Sequence, residues 1–449
     1  MSKDIRIKKG LDIKLVGEAT LTTNKLPVKG MFALKPQDFH GIIPKLIAKE
    51  GTSVKAGESI FYSKSDDRIL FPSPVSGKVT EIIRGAKRKI ISIKITADGK
   101  QSFKDFGIKD ADKMSAEEVK NHLLNSGCWP FIKQRPFDVI ANPSQTPKAI
   151  FISAYASSPL AANYDYTLAG KEKELQAALT AISKLTTGSV HVSVGKDSNS
   201  PFSGLKNIQL HNVSGPHPVG NVSTQISQID PLNKGEVVWV INPHDLLVVG
   251  ELLLTGNFNF IRTLALTGSQ FEKPSYVTVV SGASISDVVA KNINIDNTRI
   301  ISGNVLSGTQ VSKDDFLGYY DNQITAIPEG DDYEFFGWNK PVFNKISPSR
   351  ALTFSWLTPK KKYDLNTNTN GEHRAFVVTG SYENVFPLDI FPLQFLKACM
   401  YQDLDEMENL GGYEVAPEDF ALTEFICVSK QPHQKIVREG LDLMKEELG

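Results

Sequence analysis

Between Trp129 and Phe137 the chain interleaves three aromatic residues, Trp129, Phe131 and Phe137, with two cations, Lys133 and Arg135. Aromatic faces offer an apolar trench and the cations offer hydrogen-bond donors, a combination that suits a flat ligand bearing carbonyl oxygens. The plainer reading is a loop packed against the core. A second cluster, Met31, Phe32, Phe39 and His40 around Pro36, has the same make-up. It admits the same two readings, including a place on the same cleft.

Other residues with chemical potential fare less well. His217 stands between two prolines in GPHPVGN, with His211 and His244 elsewhere, but no H-x-x-x-H or carboxylate pairing frames them as metal ligands. A rigid turn holding a hydrogen-bonded histidine is the better expectation, and no metal site is assigned. No G-x-S-x-G elbow appears, so no catalytic residue is assigned either. Asp66–Asp67, Asp331–Asp332 and Glu446–Glu447 read as solvated surface, and Asp403 to Asn409 as an acidic helix face. Cys128, Cys399 and Cys427 are odd in number and far apart, which disfavours a disulfide framework and points to a reducing compartment. Without any C-x-x-C, neither a zinc ribbon nor a cubane iron–sulfur cluster of the usual spacing is available.

Phe61 to Val79 looks like a carrier domain that has lost its carrier residue. Biotinyl and lipoyl domains hold an acceptor lysine at a hairpin tip, followed by Pro-x-Pro and a glycine. Counted back from Pro74 and Gly77, that position holds Asp66, whose carboxylate cannot form the tethering amide; Lys64 lies two residues down the hairpin.

The 449 residues exceed one ordinary core, so about three or four domains are expected. Hydrophobic residues at 41% and charged residues at 22% fit a soluble globular chain. Fifty basic and fifty acidic residues cancel, which argues against a nucleic-acid partner. The opening residues lack the apolar region of a signal peptide. The apolar run 236–256 is interrupted by Asn242, Pro243, His244, Asp245 and Glu251, so no membrane span is expected.

Short strands around Gly51, Gly57 and Gly85 suggest a lipoyl-like barrel-sandwich domain over 1–103. The S-x-x-E box Ser115–Glu118 starts a helix that should stop near Gly127. Ala149–Ala156, VHVSVG, NIQLHNV and EVVWVI read as strands. Two helices alternate with them, one on Leu175, Ala178, Leu179, Ile182 and Leu185, the other led by Pro243. That alternation predicts a Rossmann-like α/β domain over 104–258. Residues 259–330 read as a β-grasp (SLBB-like) domain, and 331–449 as a largely helical region. The fold class is thus α/β and α+β, multi-domain.

Several long strings in this order, LNSGCWPFIKQRPF, GPHPVGNVST, ISGNVLSGT, the Pro328–Trp338 segment and GSYENVFPLDI, resemble the NqrA subunit of the sodium-translocating NADH:quinone reductase along nearly the whole chain. The resemblance implies a peripheral subunit on the cytoplasmic face of the bacterial inner membrane. Its partners would be the other subunits, especially a membrane subunit. Their complex uses NADH, flavins and iron–sulfur centres to reduce ubiquinone and export sodium. It also implies kinship of fold with the flavoprotein of complex I and with the C component of the Rnf complex. In the complex I relative a glycine-rich loop follows the helix matching Ser115–Asn125. Here CWPFIKQRPF stands instead, with two prolines and no glycine after Gly127, so FMN would find no comparable cradle. G-x-G-x-x-G is likewise missing after Ala149–Ala156. No cofactor is therefore expected on this chain. Phe32, Phe39, His40, Trp129, Phe131, Lys133, Arg135 and Phe137 are the residues expected near ubiquinone or at a subunit interface. Two alternatives remain: an Rnf-type electron-transfer subunit, which would need cysteine-rich motifs, and a purely architectural docking subunit.

Overall fold

The computed structural model describes residues 2–449 except 290–291, 294–295, 332–333, 338–344, 349–356 and 358–359. Trp338, which ends one of the family strings, lies outside the described residues.

The alternating run after Gly77 forms the antiparallel strands Gly77–Arg84 and Ile90–Ala97. Met31–Leu34 and Ser53–Val54 complete a four-stranded sheet. It faces a three-stranded sheet of Pro44–Leu46, Ser59–Ser63 and Leu70–Pro72. Ile60, Phe61, Phe71, Val79, Ile93 and Ile95 are fully buried in this domain. Alternation on the pleated strands delivers Val79, Ile93 and Ile95 inward, while Ile60 and Phe61, adjacent on one strand, are both buried where its pairing is irregular between Ser59 and Phe61. Gly77 is required here, because a Cβ would stand 2.0 Å from the Thr96 carbonyl oxygen. Asp66 does sit in the turn between Ser63 and Leu70. Arg68 grips it bidentately, Nε to Oδ1 at 2.9 Å and Nη2 to Oδ2 at 2.7 Å. Those hydrogen bonds hold its carboxyl below the usual range.

The α/β domain carries a seven-stranded sheet in the order Asp4–Arg6, Gln209–Ser214, Val190–Gly195, Ala149–Ser153, Val238–Ile241, Ile132–Arg135, Val139–Ile140. The first five strands are parallel and the last two antiparallel. Ser115 and Glu118 form the expected capping box on the helix Ala116–Ser126, and Gly127 ends it at φ 74°. The helices Glu172–Ile182 and Pro243–Thr255 cover the sheet, the latter with Pro243 in its first turn. Leu175, Ala178, Leu179 and Ile182 are all fully buried.

Two expectations about organisation need correcting. The short strands of the first 30 residues pair outside the two barrel-sandwich sheets. Asp4–Arg6 pairs with Gln209–Ser214, and Thr23–Lys25 adds to the edge of the β-grasp sheet beside Ser275–Val280. Short strands stabilise themselves by extending an existing sheet, and sequence spacing cannot say which one. The β-grasp sheet itself runs Thr309–Val311, Thr298–Ser302, Gln323–Pro328, Ile261–Thr267, Ser275–Val280, Thr23–Lys25. The region 331–449 is also less helical than expected. Among the described residues its first 60 hold only the single turn Tyr382–Asn384, and helices begin at Pro392. Asn366, Asn368 and Asn370 explain part of this: Asn366 and Asn368 side chains accept from backbone N–H groups two residues on, a turn geometry that competes with helix. The helices Pro392–Tyr401 and His433–Leu448 then close a separate core around Phe395, Phe420, Val437 and Met444.

A buried ion pair joins the α/β and β-grasp units. Asp245, in the first turn of Pro243–Thr255, is ion-paired to Arg262 on Ile261–Thr267, and both side chains are buried. Arg262 also donates to Asn322 Oδ1 at 2.7 Å and stacks 4.9 Å from the Phe260 ring centroid. Burial pushes the Asp245 carboxyl up, and Arg262 opposes the rise. Arg262→Met would leave a buried carboxylate alone, and should lower stability by about 3–5 kcal/mol. Replacing both residues by apolar ones should recover most of the loss in a thermal melt. An R262M protein that melts like the wild type would show that the pair is dispensable.

A second prediction concerns pH. Burial pushes His191, His211, His217 and His433 down to about 4 and His244 to about 3. The unfolded chain takes up protons below about pH 6.5 that the folded chain refuses. Their contribution is therefore complete above that pH and falls as the pH drops toward 4, by at most about 3 kcal/mol each. Burial raises Asp38 to about 6 and Glu418 to about 7, which favours the fold at low pH and opposes the trend. Asp245, Glu414 and Asp419 are raised as well, while Asp138, held at about 2, acts in the same sense as the histidines. The melting temperature should fall between pH 6.5 and 4.5, and a flat or rising profile would contradict the assignment.

Candidate functional site

In the parallel sheet, strand order reverses its direction of growth between Ala149–Ser153 and Val238–Ile241. The segments leaving these two carboxyl ends diverge, which opens a crevice at the place where α/β sheets receive ligands. A cavity of about 290 Å3 occupies it. Tyr155 and Ser157 follow the first strand into its wall, and Asn242 and Asp245 follow the second. The neighbouring antiparallel strand Ile132–Arg135 supplies Lys133 and Arg135, with Phe131 one step before. Period-two alternation explains why Lys133 and Arg135 face the cavity together while Ile132 and Gln134 turn away, and Phe131 ends the short helical turn Trp129–Phe131 just before them. Tyr320 and the 304–307 turn cover the cavity from the β-grasp side, and Glu418 from the C-terminal region.

The charges form one network. Arg135, 3% exposed, pairs with Asp138, and its Nη2 lies 3.5 Å from Glu418 Oε1. Its Nε is a buried donor with no protein partner. Burial would raise Asp138, but Arg135, Lys133 and Arg438 more than reverse this and hold it at about 2. Burial and the neighbouring Asp419 push Glu418 up to about 7 against the pull of Arg135. Solvent in the cavity still reaches 44% of the Glu418 side chain, which limits that rise. The Lys133 ammonium stands 4.4 Å from the Tyr320 ring centroid, and Tyr320 donates to the Pro130 carbonyl at 2.7 Å. Ser157 Oγ accepts from Gly220 N–H at 2.8 Å and lies 3.0 Å from His217 Nδ1. Burial pushes His217 down to about 4 and so keeps its ring neutral near pH 7. The arrangement offers donors of two kinds, a partly exposed carboxyl with a raised pKa, and aromatic faces: enough to bind and orient a polar, planar group.

The eight residues expected to act together are not all brought together. Phe131, Lys133 and Arg135 line the cavity. Trp129 is fully buried, donates Nε1 to the Ala141 carbonyl at 2.8 Å and packs edge-on against Trp239. Phe137 belongs to the core of the C-terminal region. Phe32 is a core residue on the strand Met31–Leu34, not part of a loop. Phe39 is buried among Phe61, Phe71 and Tyr319, and approaches the cavity only from behind Tyr320, at 5.9 Å between ring centroids. His40 is on the surface, hydrogen-bonded to Asp442 at 2.7 Å. Large aromatic side chains gain most by leaving water altogether, so the aromatics separate from the cations they adjoin in sequence.

Asp138, Tyr155, Asn242, Tyr320 and Glu418 were missed by sequence reasoning. Asp138, three residues from Arg135, carried a signal in its spacing; Glu418 lies 283 positions away and carried none. The strings GPHPVGN and ISGNVLSGT, by contrast, both reach the cavity, through His217, Gly220 and Asn221 and through Asn304, Leu306 and Ser307. Among the described residues no group of three or more His, Cys, Asp or Glu is poised to hold a metal, and Cys128, Cys399 and Cys427 are separately buried thiols. No helix among them is long and apolar enough to cross a membrane.

Three family models match successive parts of the chain: an NqrA N-terminal barrel-sandwich hybrid domain over 5–98, an NqrA second alpha/beta domain over 114–258, and an NqrA C-terminal domain of the SLBB type over 263–313. The A subunit of the Na(+)-translocating NADH-quinone reductase from Haemophilus influenzae (strain PittGG) is 35% identical over 448 residues, covering 99% of this chain and 100% of its own. The proteins of the same description from Neisseria meningitidis serogroup B and Rhodopirellula baltica are 35% and 34% identical, over 99% and 98% of this chain and 100% and 98% of their own. An NAD+-reducing [NiFe]-hydrogenase overlaps 41% of the chain at a TM-score of 0.32 and 12% identity, too loosely to bear on the site. With three domains matched in order and relatives aligned end to end, the chain belongs to the NqrA family of the Na+-translocating NADH-quinone reductases.

Proposed function

We propose that this chain works as a peripheral subunit of a Na+-translocating NADH-quinone reductase, docked at the cytoplasmic face on a membrane subunit, and that its switch-point cavity shapes access of ubiquinone. It contributes to quinone reduction without a flavin or iron–sulfur cluster of its own. The observation that carries this reading is the convergence of three family strings on one cavity in a chain aligned end to end with its relatives. Lys133 supplies N–H donors for carbonyl oxygens, and Phe131 and Tyr320 supply ring faces. The cavity has room for a head group, while the isoprenoid tail would leave through its open side.

The flavin-free part of the reading is supported by what occupies the segment after Gly127. Pro130 and Pro136 have no N–H, Ile132–Arg135 pairs antiparallel with Val238–Ile241, and Trp129 and Phe131 are buried in the core. Backbone used in a sheet ladder has no N–H groups left to cradle a flavin phosphate.

Lys133→Met in the assembled complex should raise the KM for a short-chain ubiquinone about tenfold, the worth of one charged donor, with NADH oxidation at the input end unchanged. Unchanged quinone kinetics in a fully assembled K133M complex would leave docking as this polypeptide's whole role. The purified chain should be colourless; a flavin or cluster spectrum that stays with the polypeptide would contradict the cofactor-free reading.

A further inference from the structure

A second depression, outside the switch-point cavity, opens at the carboxyl ends of the three outermost parallel strands. Asp4–Arg6, Gln209–Ser214 and Val190–Gly195 run in the same direction, so their following segments emerge on one side of the sheet. An open groove of about 500 Å3 lies there, bordered by Arg6, Lys8 and Lys196 over Ser214, Gly215 and Pro216. Alternation places the first two cations. Ile5 and Ile7 are buried against Val213 and Val219, so Arg6 and Lys8 leave on the opposite face. Lys196 follows directly on Val190–Gly195, and its N–H donates to the Val213 carbonyl at 3.0 Å, which holds it beside the middle strand. The floor is backbone. Gly215 has φ +129°, and a Cβ there would lie 2.5 Å from the Ile7 carbonyl oxygen, so no side chain can rise from that position.

The charge in this groove is of one sign. No carboxylate lines it, and although Asp4 and Asp197 are exposed close to Arg6 and Lys196 in the chain, none of the three cations makes an ion pair among the described residues. Elsewhere in the same domain the opposite holds: Lys148 is neutralised by Asp230 at 3.0 Å and Glu236 at 2.7 Å. In a chain with no net charge, three uncompensated cations around one concavity concentrate a positive field. The Arg6 fork suits paired phosphate oxygens, and the two ammonium groups suit further charge on the same anion.

We propose that this groove is a binding site for a phosphate-bearing anion, with Arg6, Lys8 and Lys196 as its donors. The anion is either a free polyphosphate group or the head group of an anionic phospholipid; both present the same chemistry to these side chains. The site is separate from the quinone reading, because the Gly215–Asn221 turn stands between groove and cavity, Pro216 facing one and His217 the other.

The test uses the full chain. Pyrophosphate is titrated by calorimetry, and sedimentation is measured with phosphatidylcholine vesicles with and without phosphatidylglycerol. Binding is expected in at least one arm, weakening with added salt. Pyrophosphate binding identifies a soluble source, and binding to phosphatidylglycerol vesicles alone identifies a lipid one. Lys196→Ser should weaken the positive arm about tenfold, Lys196→Arg should preserve it, and the triple variant R6S/K8S/K196S should abolish it. All three positions are exposed, so thermal melts should match the wild type; if the triple variant does not fold, Lys196→Glu alone carries the same expectation. Absence of binding in both arms, or binding unchanged in a folded variant, overturns the proposal.

Discussion

The buried pair Asp245–Arg262 is the constraint on which the site depends. Both charges have left water, which costs several kcal/mol each and is recovered only in a narrow range of geometries. Asp245 belongs to the α/β unit and Arg262 to the β-grasp unit, so that narrow range also defines how the two units meet. Asn322 and Asn242 extend the contact, at 2.7 Å from Arg262 to Asn322 and 3.3 Å from Asn322 to Asn242. Tyr320, two residues before Asn322, is thereby held over Lys133. The crevice that an open sheet would present to solvent becomes a covered cavity because a neighbouring domain is pinned across it.

The C-terminal region narrows a further side by the same kind of contact. Arg135 and Arg438 reach from different elements toward Asp138, and Glu418 approaches Arg135 from the opposite direction. Arg438 also donates to the Phe137 and Asp138 carbonyls, tying the last helix to the end of the strand that carries Arg135. These groups are unlike a surface salt bridge, in which water would screen the charges and leave little net energy. Within the partly enclosed site they set one another's protonation: Asp138 stays ionised, while Glu418 sits near neutrality. A small polar chamber with fixed charges at one end and aromatic faces at the other is the result.

The barrel-sandwich domain folds with Asp66, not a lysine, in the turn between Ser63 and Leu70. Its strands need only alternating apolar residues and a glycine that permits close approach at Gly77, and both are present. Its turn needs no lysine to fold. Asp66 and Arg68 make a local pair that organises the turn, while most of the packing energy lies in Phe61, Phe71 and their neighbours. After Gly127, too, the backbone of Ile132–Arg135 is engaged, paired antiparallel with Val238–Ile241.

What the sequence determined by itself was local or periodic. The capping box at Ser115, the stop at Gly127, the helix led by Pro243 and the alternating strands all follow from contacts within a few residues, where spacing dictates geometry. Family strings extended that reading to the domain order. Only the tertiary structure decided which sheet takes Asp4–Arg6 and Thr23–Lys25, since any open edge offers the same backbone hydrogen bonds. It also divided the aromatic and cationic cluster. Trp129 and Phe137 went to separate cores, while Phe131, Lys133 and Arg135 shared one strand face, because alternation and burial act together only after the strand has found its neighbour. Glu418 joined them from 283 residues beyond Arg135. Contacts at that separation are set by how domains pack, and no local pattern encodes them.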